Sequence, residues 1–249
     1  MSRYFLQISY NGSCYHGWQV QPNAVTVQEV MENALSTLLR EKIAVIGAGR
    51  TDTGVHAQLY MLHFDSQNNN LHNENLVYKL NRYLPEDIAV QHIFHVKADA
   101  HTRFDAISRT YQYVISTFKN PFITNTAWYF NRPVNLEKMN EACIILLEFS
   151  DFTSFARLHT NTKTNICKIM HAEWEQKGEL MVFTIKADRF LRNMVRAIVG
   201  TLVDVGLGKI SLDDFRAIIE KKDRAVAGTS APAHGLSLTQ IEYPVEIFQ

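Results

Sequence analysis

The chain has 249 residues, enough for one large domain or two of ordinary size, and its 46% hydrophobic and 20% charged residues exclude a disordered protein. Its 25 basic and 25 acidic residues balance, which argues against binding to nucleic acid through overall charge alone. Three scattered cysteines without a CxxC pair argue against a disulfide framework and a structural zinc site. No stretch reaches the roughly 20 apolar residues of a membrane span, and the N-terminus lacks the apolar segment of a signal peptide. We therefore expect a cytoplasmic protein that does not bind membranes.

The first half of the chain shows strand and helix patterns in the order strand, helix, strand, strand, helix, strand. Thr26 and Glu29 form a predicted capping box at the first helix, and Pro85 ends the second. The predicted strands are 3–10, 42–46, 59–65 and 88–96, and the predicted helices are 26–40 and 73–84. This order is that of the split βαβ arrangement of ferredoxin-like domains, which is built on an antiparallel sheet.

The second half repeats this theme imperfectly. Its predicted strands are 110–118, 127–130, 166–175, 180–187 and 236–242, of which the third and fourth form a hairpin around Lys177 and Gly178. Its predicted helices are 136–147, 189–205 and 211–222, the last with a cap at Ser211 and Asp214. We therefore predict an α+β fold of two ferredoxin-like (RRM-like) halves with mainly antiparallel sheets, residues 1–100 and 101–249.

The segment GAGRTDTGVHA, residues 47–57, places one aspartate among three glycines between two predicted strands. An aspartate in a loop is usually a turn or capping residue. Here Arg50 is close enough to Asp52 to hold its carboxylate ionised, and a fixed carboxylate can serve as nucleophile or base. Gly49 and Gly54 would let a large ligand approach the backbone. The segment is therefore a candidate catalytic site, although its spacing does not name a reaction.

The same segment resembles the signature of the TruA family of tRNA pseudouridine synthases, and six further segments resemble that family in its own order. They are YNGSCYHGWQ (10–19), VQEVMENAL (27–35), SRTYQYVI (108–115), DFTSFA (151–156), FLRNMVRAIVG (190–200) and AHGLSL (233–238). The resemblance covers essentially the whole chain. It implies an enzyme that breaks the bond between uracil N1 and ribose C1′, rotates the base and rejoins it through C5, without a cofactor or metal. It further implies a homodimer that modifies tRNA uridines 38–40 of the anticodon stem-loop, with its active site in the cleft between the two halves.

The resemblance also assigns roles to individual residues. Asp52 matches the family's catalytic aspartate, which would attack either ribose C1′ or uracil C6. Arg196 in NMVR matches the arginine that pairs with this aspartate. Tyr111 in RTYQYV matches the tyrosine that lies against the target base, where a hydroxyl group could help to move the C5 proton. Arg50 matches a residue that enters the space left by the flipped nucleotide.

A basic segment, residues 186–196, contains four cationic residues and one anionic residue, so an anionic partner would bind at this segment rather than through the overall charge. Helical periodicity places Arg189, Arg192 and Arg196 on one stripe of the predicted helix 189–205. For Arg189 and Arg192, a solvated basic face and contact with RNA phosphates are both consistent with the pattern. Both are candidate substrate-binding residues.

Three other residues lie near these motifs, and two of them have two interpretations each. Tyr113 shares a strand face with Tyr111 and is expected to pack in the core. His56 is expected to form local hydrogen bonds or to contact RNA, because its surroundings contain no set of metal ligands. Trp18, in a glycine-rich loop, would either stack on RNA bases or cover the core.

Two other classes of protein are compared with the enzyme. An RNA-binding protein that has lost catalysis would lack Asp52, Arg196 or Tyr111, and all three are present. A glycoside or nucleoside hydrolase breaks the same type of bond, but most such enzymes use two positioned carboxylates, and the Asp52 region supplies one. Both alternatives therefore rank below the synthase.

Overall fold

The computed structural model describes residues 1–71, 74–157 and 163–249. Its strands are β1 (Ser2–Tyr10), β2 (Ile46–Gly47), β3 (His56–Ser66), β4 (Ile88–Val96), β5 (Ser108–Ser116), β6 (Trp128–Tyr129), β7 (Ile169–Lys177), β8 (Leu180–Ala187) and β9 (Leu236–Glu242). Its α-helices are α1 (Val27–Leu39), α2 (Glu74–Tyr83), α3 (Leu136–Leu146), α4 (Met194–Gly206) and α5 (Leu212–Glu220). Strand pairing is mostly antiparallel, in agreement with the predicted α+β class. Asn73, predicted to start the second helix, lies outside the described residues.

The described residues form two compact units. The first contains Met1–Ile107 and Leu238–Gln249, and the second contains Ser108–Ser237. The predicted division at residue 100 differs from this, because it assigned the end of the chain to the second half. The structural reason is that β9 lies beside β3, and that Tyr243, directly after β9, donates a hydrogen bond to Thr102 O at 2.6 Å.

The sheet of the first unit has the strand order β4-β1-β3-β9, and the short β2 also pairs with β3. β1 is antiparallel to both neighbours, with Phe5 opposite His63 on β3 and opposite Phe94 on β4. Both faces of β1 are covered, since the successive side chains of Tyr4 and Phe5 are fully buried. α1 adds a buried face made of Val27, Met31, Ala34 and Leu35.

The predicted strand 42–46 is a coil for most of its length, and β2 begins only at its last residue. The N–H of Ile43 donates to Ser36 Oγ, and the N–H of Val45 donates to Glu32 Oε1, each at 3.0 Å. Because side chains of α1 satisfy these backbone groups, the segment needs no partner strand. The side chains of Ile43 and Val45 are nevertheless buried, which is why the sequence of this segment has the appearance of a strand.

The helix ends follow the predicted caps. Thr26 Oγ1 accepts a hydrogen bond from the N–H of Glu29 at 3.4 Å, which is the first bond of the predicted box. At α5, Ser211 and Asp214 form both bonds of a capping box. The longest helices, α1 and α4, have 13 residues, and none in the described part of the chain is long and apolar enough to cross a membrane.

His63 is a buried histidine on β3 whose ring centre lies 4.6 Å from that of His101. Burial lowers the pKa of His63 from 6.5 to about 4, and the positive charges of His101 and Arg3 act in the same direction. The negative charges of Asp65 and Asp105 oppose this shift in part. The ring is therefore neutral in the folded protein at neutral pH.

Acidification is expected to destabilise the protein through His63. Between pH 6.5 and about 4 the unfolded chain binds a proton at this residue that the folded protein does not, so the free energy of unfolding falls as the pH falls through this window. A shift of this size corresponds to about 3 kcal/mol. Urea unfolding at a series of pH values should show a flatter profile for His63→Asn, whereas His92→Asn, on an exposed position of β4, should match the wild type. An unchanged profile for His63→Asn would contradict the assignment.

The sheet of the second unit contains β5, β8 and β7 in that order, all antiparallel, with β6 parallel to β5 through the pair Ile115 and Trp128. The predicted hairpin is confirmed: β7 and β8 are joined at Gly178, whose φ is +61°. In the core, the rings of Trp174 and Phe183 stack at 5.0 Å. α3 packs against β7 and against α4 and α5.

The predicted helix that begins at Arg189 starts later, after Asn193. Asn193 has a φ of +65°, in the left-handed region, and its Nδ2 donates to Ser230 Oγ at 2.6 Å. This conformation interrupts the helical path, so Arg189 and Arg192 precede α4. The predicted stripe that they share with Arg196 is therefore wrong.

Candidate active site

Residues 47–57 form a loop that runs from β2 into β3 and carries Asp52. The N–H of Val55 donates to Asp52 O at 3.1 Å, and Gly54 has a φ of +78°, so the chain turns directly after the aspartate. The Asp52 side chain is half-buried and Arg50 is exposed. The loop therefore presents one carboxylate at a tight turn, with a cation two residues before it.

The start of this loop is held by an aromatic pair. The rings of Trp18 and Tyr60 lie 4.3 Å apart, and the Tyr60 hydroxyl donates to Gly49 O. The backbone N–H of Trp18 donates to Thr51 O at 3.3 Å. A Cβ on Gly47 would lie 2.6 Å from the Trp18 ring, so only glycine fits at that position. Trp18 is 4% exposed, which agrees with the packing alternative for this residue.

Replacing Tyr60 with phenylalanine is expected to loosen the loop without disturbing the aromatic pair. The variant loses the hydrogen bond to Gly49 O, which lowers the free energy of unfolding by about 1 kcal/mol and the melting temperature by about 2–4 °C. Differential scanning calorimetry measures this change. Tyr129→Phe removes a partly exposed hydroxyl in the second unit and should leave the melting temperature unchanged. Equal melting temperatures for wild type and Tyr60→Phe would contradict the role of this bond.

Two further contacts with the segment 10–19 hold the loop before and after Asp52. The Tyr10 hydroxyl lies 2.9 Å from Thr51 Oγ1, and the N–H of Gly12 donates to His56 Nδ1 at 3.0 Å. Because Nδ1 accepts this bond, the neutral His56 ring carries its proton on Nε2. His56 is buried, in agreement with the predicted local hydrogen bonding.

Asp52 thus lies between anchored neighbours on both sides. A carboxylate on such a loop can attack a bound substrate with little reorganisation of the protein. The segments YNGSCYHGWQ and GAGRTDTGVHA, separate in sequence, form one structural feature. The sequence analysis did not single out Tyr10 and Tyr60, although both occupy inward positions on strands that flank the loop.

In the second unit, Arg196 lies in the first turn of α4 and is half-buried. Its Nε donates to Ala231 O at 2.7 Å, and the N–H of Ala231 donates to Arg196 O at 2.9 Å. Gly200, one turn further along α4, lets the same segment approach, because a Cβ there would clash with Thr229 O. Arg196 is therefore positioned by a close contact between α4 and the segment 229–231.

The two tyrosines that the sequence places on one face of β5 have different surroundings. Tyr111 is half-buried, and its ring meets the Phe190 ring edge-on at 5.2 Å. Tyr113 is fully buried, and its hydroxyl donates to Pro232 O at 2.8 Å. Burial raises the pKa of Tyr113, and a Cβ on Gly235 would lie 2.6 Å from its ring. The predicted core position of Tyr113 is therefore what the structure shows.

The segment 231–234 connects the arginine and tyrosine motifs. Its first two carbonyls accept hydrogen bonds from Arg196 and from Tyr113. Burial lowers the pKa of His234, and the charge of Arg196 lowers it further, against a bond to the Ala127 backbone that raises it. The sequence analysis gave these residues no role, and the AHGLSL resemblance covers only the last two of them.

The predicted site residues fall in both units. Asp52 and Arg50 belong to the first, and the second contains Arg196, Tyr111, Arg189 and Arg192. Arg189 is half-buried, and Arg192 is exposed. Across the ranges that the structure describes, no three His, Cys, Asp or Glu side chains are grouped so that they could hold a metal ion.

Comparison with known proteins identifies the family. A family model described as tRNA pseudouridine synthase matches residues 7–105 and 143–244. The tRNA pseudouridine synthase A of Bacteroides fragilis is 56% identical over 250 residues, covering 100% of this chain and 99% of that protein. The protein of the same name from Bacillus subtilis is 40% identical over 240 residues, covering 95% and 97%. Because these similarities run along the whole of both chains, the protein belongs to the TruA family of tRNA pseudouridine synthases.

Proposed function

We propose that this chain converts uridine to pseudouridine in tRNA, with Asp52 as the nucleophile. The observation that carries the proposal is the loop 47–57, in which the half-buried Asp52 follows Gly49 and Thr51, anchored by Tyr60 and Tyr10, and precedes His56, anchored by the N–H of Gly12. The names of the relatives, tRNA pseudouridine synthase A, support the reaction and the substrate.

The Asp52 carboxylate attacks either ribose C1′ or uracil C6. In the first route an ester forms at C1′ as the bond to N1 breaks, the uracil rotates, and C5 displaces the carboxylate from C1′. In the second route the carboxylate adds to C6 before the base is detached and is eliminated at the end. In both routes the C5 proton leaves and N1 gains a proton, so the product is an isomer of the substrate.

Two residues of the second unit complete the proposed chemistry. Arg196 pairs with Asp52, and the bond from its Nε to Ala231 O supports this role by limiting the rotamers of the side chain. Tyr111 lies against the uracil ring and its hydroxyl helps to remove the C5 proton. The half-buried position of Tyr111 supports contact with a bound base.

The remaining arginines bind RNA in this proposal. Arg50 fills the space left by the flipped uridine, which offsets part of the few kcal/mol that unstacking costs. Its exposure supports this role. Arg189 and Arg192 contact phosphates of the anticodon stem-loop, whose uridines 38–40 are the proposed targets. Both arginines precede α4, so they do not need to share one face of a helix to make these contacts.

We further propose that the two units, predicted as residues 1–100 and 101–249 and found as Met1–Ile107 with Leu238–Gln249 and as Ser108–Ser237, are ferredoxin-like halves with the active site in the cleft between them. In the first unit β4, β1 and β3 are neighbours in that order and the short β2 also pairs with β3, which supports this for the first half. By resemblance to its family, the protein acts as a cytoplasmic homodimer and needs no cofactor or metal.

The test is tritium release from tRNA that is labelled at uridine C5. The proposed reaction releases one tritium for each pseudouridine formed, and digestion of the product shows pseudouridine without free uracil. Free uracil with an abasic ribose would instead indicate a hydrolase. Binding of tRNA without release from any of several unmodified tRNAs would overturn the proposed reaction.

A further inference from the structure

An aromatic and cationic cluster at residues 101–104 has no part in the function proposed above. Phe104 is 73% exposed, and its ring lies against the ring of His101, with 4.3 Å between the centres. The Arg103 guanidinium lies 5.5 Å from the centre of the Phe104 ring. An exposed apolar ring is therefore supported by an imidazole and accompanied by a cation.

The cluster is held rigidly by local hydrogen bonds. His101 Nδ1 accepts from the N–H of Arg103 at 3.1 Å and from that of Phe104 at 3.4 Å. The N–H of His101 donates to Asp105 Oδ2 at 2.7 Å, and the His101 ring packs edge-on against buried His63. The backbone of Phe104 is thus held by a hydrogen bond, and its exposed ring rests against the ring of His101.

The same cluster is joined to the framework of the Asp52 loop. Thr102 is fully buried, and its Oγ1 donates to Ile46 O at 3.0 Å. Ile46 begins β2, from which the loop 47–57 starts. One hydrogen bond therefore joins the cluster to the strand from which the Asp52 loop starts.

We propose that Phe104 and Arg103 bind one nucleotide of the RNA substrate, the ring stacking on a base and the guanidinium contacting the adjacent phosphate. The inference rests on the proposed function, which supplies RNA as the substrate. Stacking suits any base, because every base has a π-face, and a ring that is already fixed loses little conformational entropy on binding. The cation beside the ring favours a nucleotide over a protein partner, since it complements the phosphate, whereas one phenylalanine offers little of the apolar area that a protein interface needs.

The test compares tRNA binding and kinetics of two single variants, Phe104→Ala and Phe122→Ala, with those of the wild type. Phe122 is 94% exposed in a loop of the second unit and provides a matched control. Stacking on an aromatic ring is worth about 1–3 kcal/mol, so Phe104→Ala should raise the Kd for tRNA and the KM by about 5- to 150-fold, with the main effect in KM rather than in kcat. Phe122→Ala should change neither.

Two further variants measure the contacts directly. Phe104→Trp keeps an aromatic ring and should preserve affinity, and its fluorescence should be quenched when tRNA binds, unlike that of Phe122→Trp. Arg103→Gln should weaken binding and reduce the slope of log Kd against log salt by about one.

The possible failures are distinguishable. If the wild type forms pseudouridine while Phe104→Ala binds tRNA as tightly as Phe122→Ala, the inference is overturned and the proposed function stands. Unquenched Phe104→Trp fluorescence in a tRNA complex would likewise overturn the stacking. If the wild type neither binds nor isomerises tRNA, the proposed function falls and the inference falls with it.

Discussion

Replacing Asp52 with asparagine is expected to abolish tritium release from C5-labelled tRNA while the protein keeps its fold. Asparagine has the size of aspartate and preserves the bond from the N–H of Val55 to the backbone carbonyl of residue 52, but it is not a nucleophile at neutral pH. Losing the attacking group should lower the rate by at least about 10⁴-fold. The melting temperature should change by less than about 3 °C, since the anchors of the loop are made by its neighbours.

Asp99→Asn is the matched control for this experiment, because Asp99 is exposed in the same unit. It should release tritium at the wild-type rate. A folded Asp52→Asn protein that retains a tenth of the activity would show that another group attacks the uridine. Single-turnover measurements with excess enzyme separate this outcome from a change in tRNA binding.

Replacing Gly200 with alanine is expected to destabilise the second unit, although glycine is a poor helix former. Alanine improves intrinsic helix propensity by about 1 kcal/mol, but its Cβ would clash with Thr229 O, and a backbone carbonyl cannot rotate away like a side chain. Overpacking of this kind costs about 1–3 kcal/mol and can cost more. The clash exceeds the gain, so we expect a net loss of about 2 kcal/mol and a melting temperature lower by about 4–8 °C.

The same change should weaken the positioning of Arg196. If the segment 229–231 moves away from α4, the N–H of Ala231 loses its bond to Arg196 O, and its hydrogen exchange should accelerate. Gly49→Ala is the control for stability, because a Cβ there has no atom within 4 Å. A Gly200→Ala protein with unchanged melting temperature and unchanged exchange at Ala231 would contradict the close contact.

Sequence patterns predicted most strands because alternating apolar residues extend along whole elements. The predicted strands 88–96 and 236–242 coincide with β4 and β9. The predicted strand at 42–46 was wrong because apolar alternation reports burial and not the partner of each N–H, and here α1 provides the partners for Ile43 and Val45. The start of α4 was missed because the turn at Asn193 depends on a bond to Ser230, which lies 37 residues further along the chain.

In the candidate site, too, some residues can be predicted from their own segment, whereas others are recognised only by contacts that form in the folded protein. Asp52 was predicted as a site residue from its own glycine-rich segment and from the family resemblance. The residues that hold it, such as Tyr60 and Tyr10, are ordinary strand residues in sequence, and their contacts with the loop exist only after the sheet has formed. The bonds between Arg196 and Ala231 join residues 35 positions apart, and Ala231 lies outside every motif named from the sequence.

The place of β9 beside β3 has a consequence for how the protein is made. The ribosome synthesises a chain from its N-terminus to its C-terminus, so Leu238–Gln249 emerge after the entire second unit. Apart from the two-residue β2, the edge of β3 therefore stays unpaired while the second unit is synthesised, and such an edge is a site for pairing with other chains. A message that ends before Leu238 would yield a first unit that is prone to aggregation, even though the bonds that hold the Asp52 loop lie within residues 10–60.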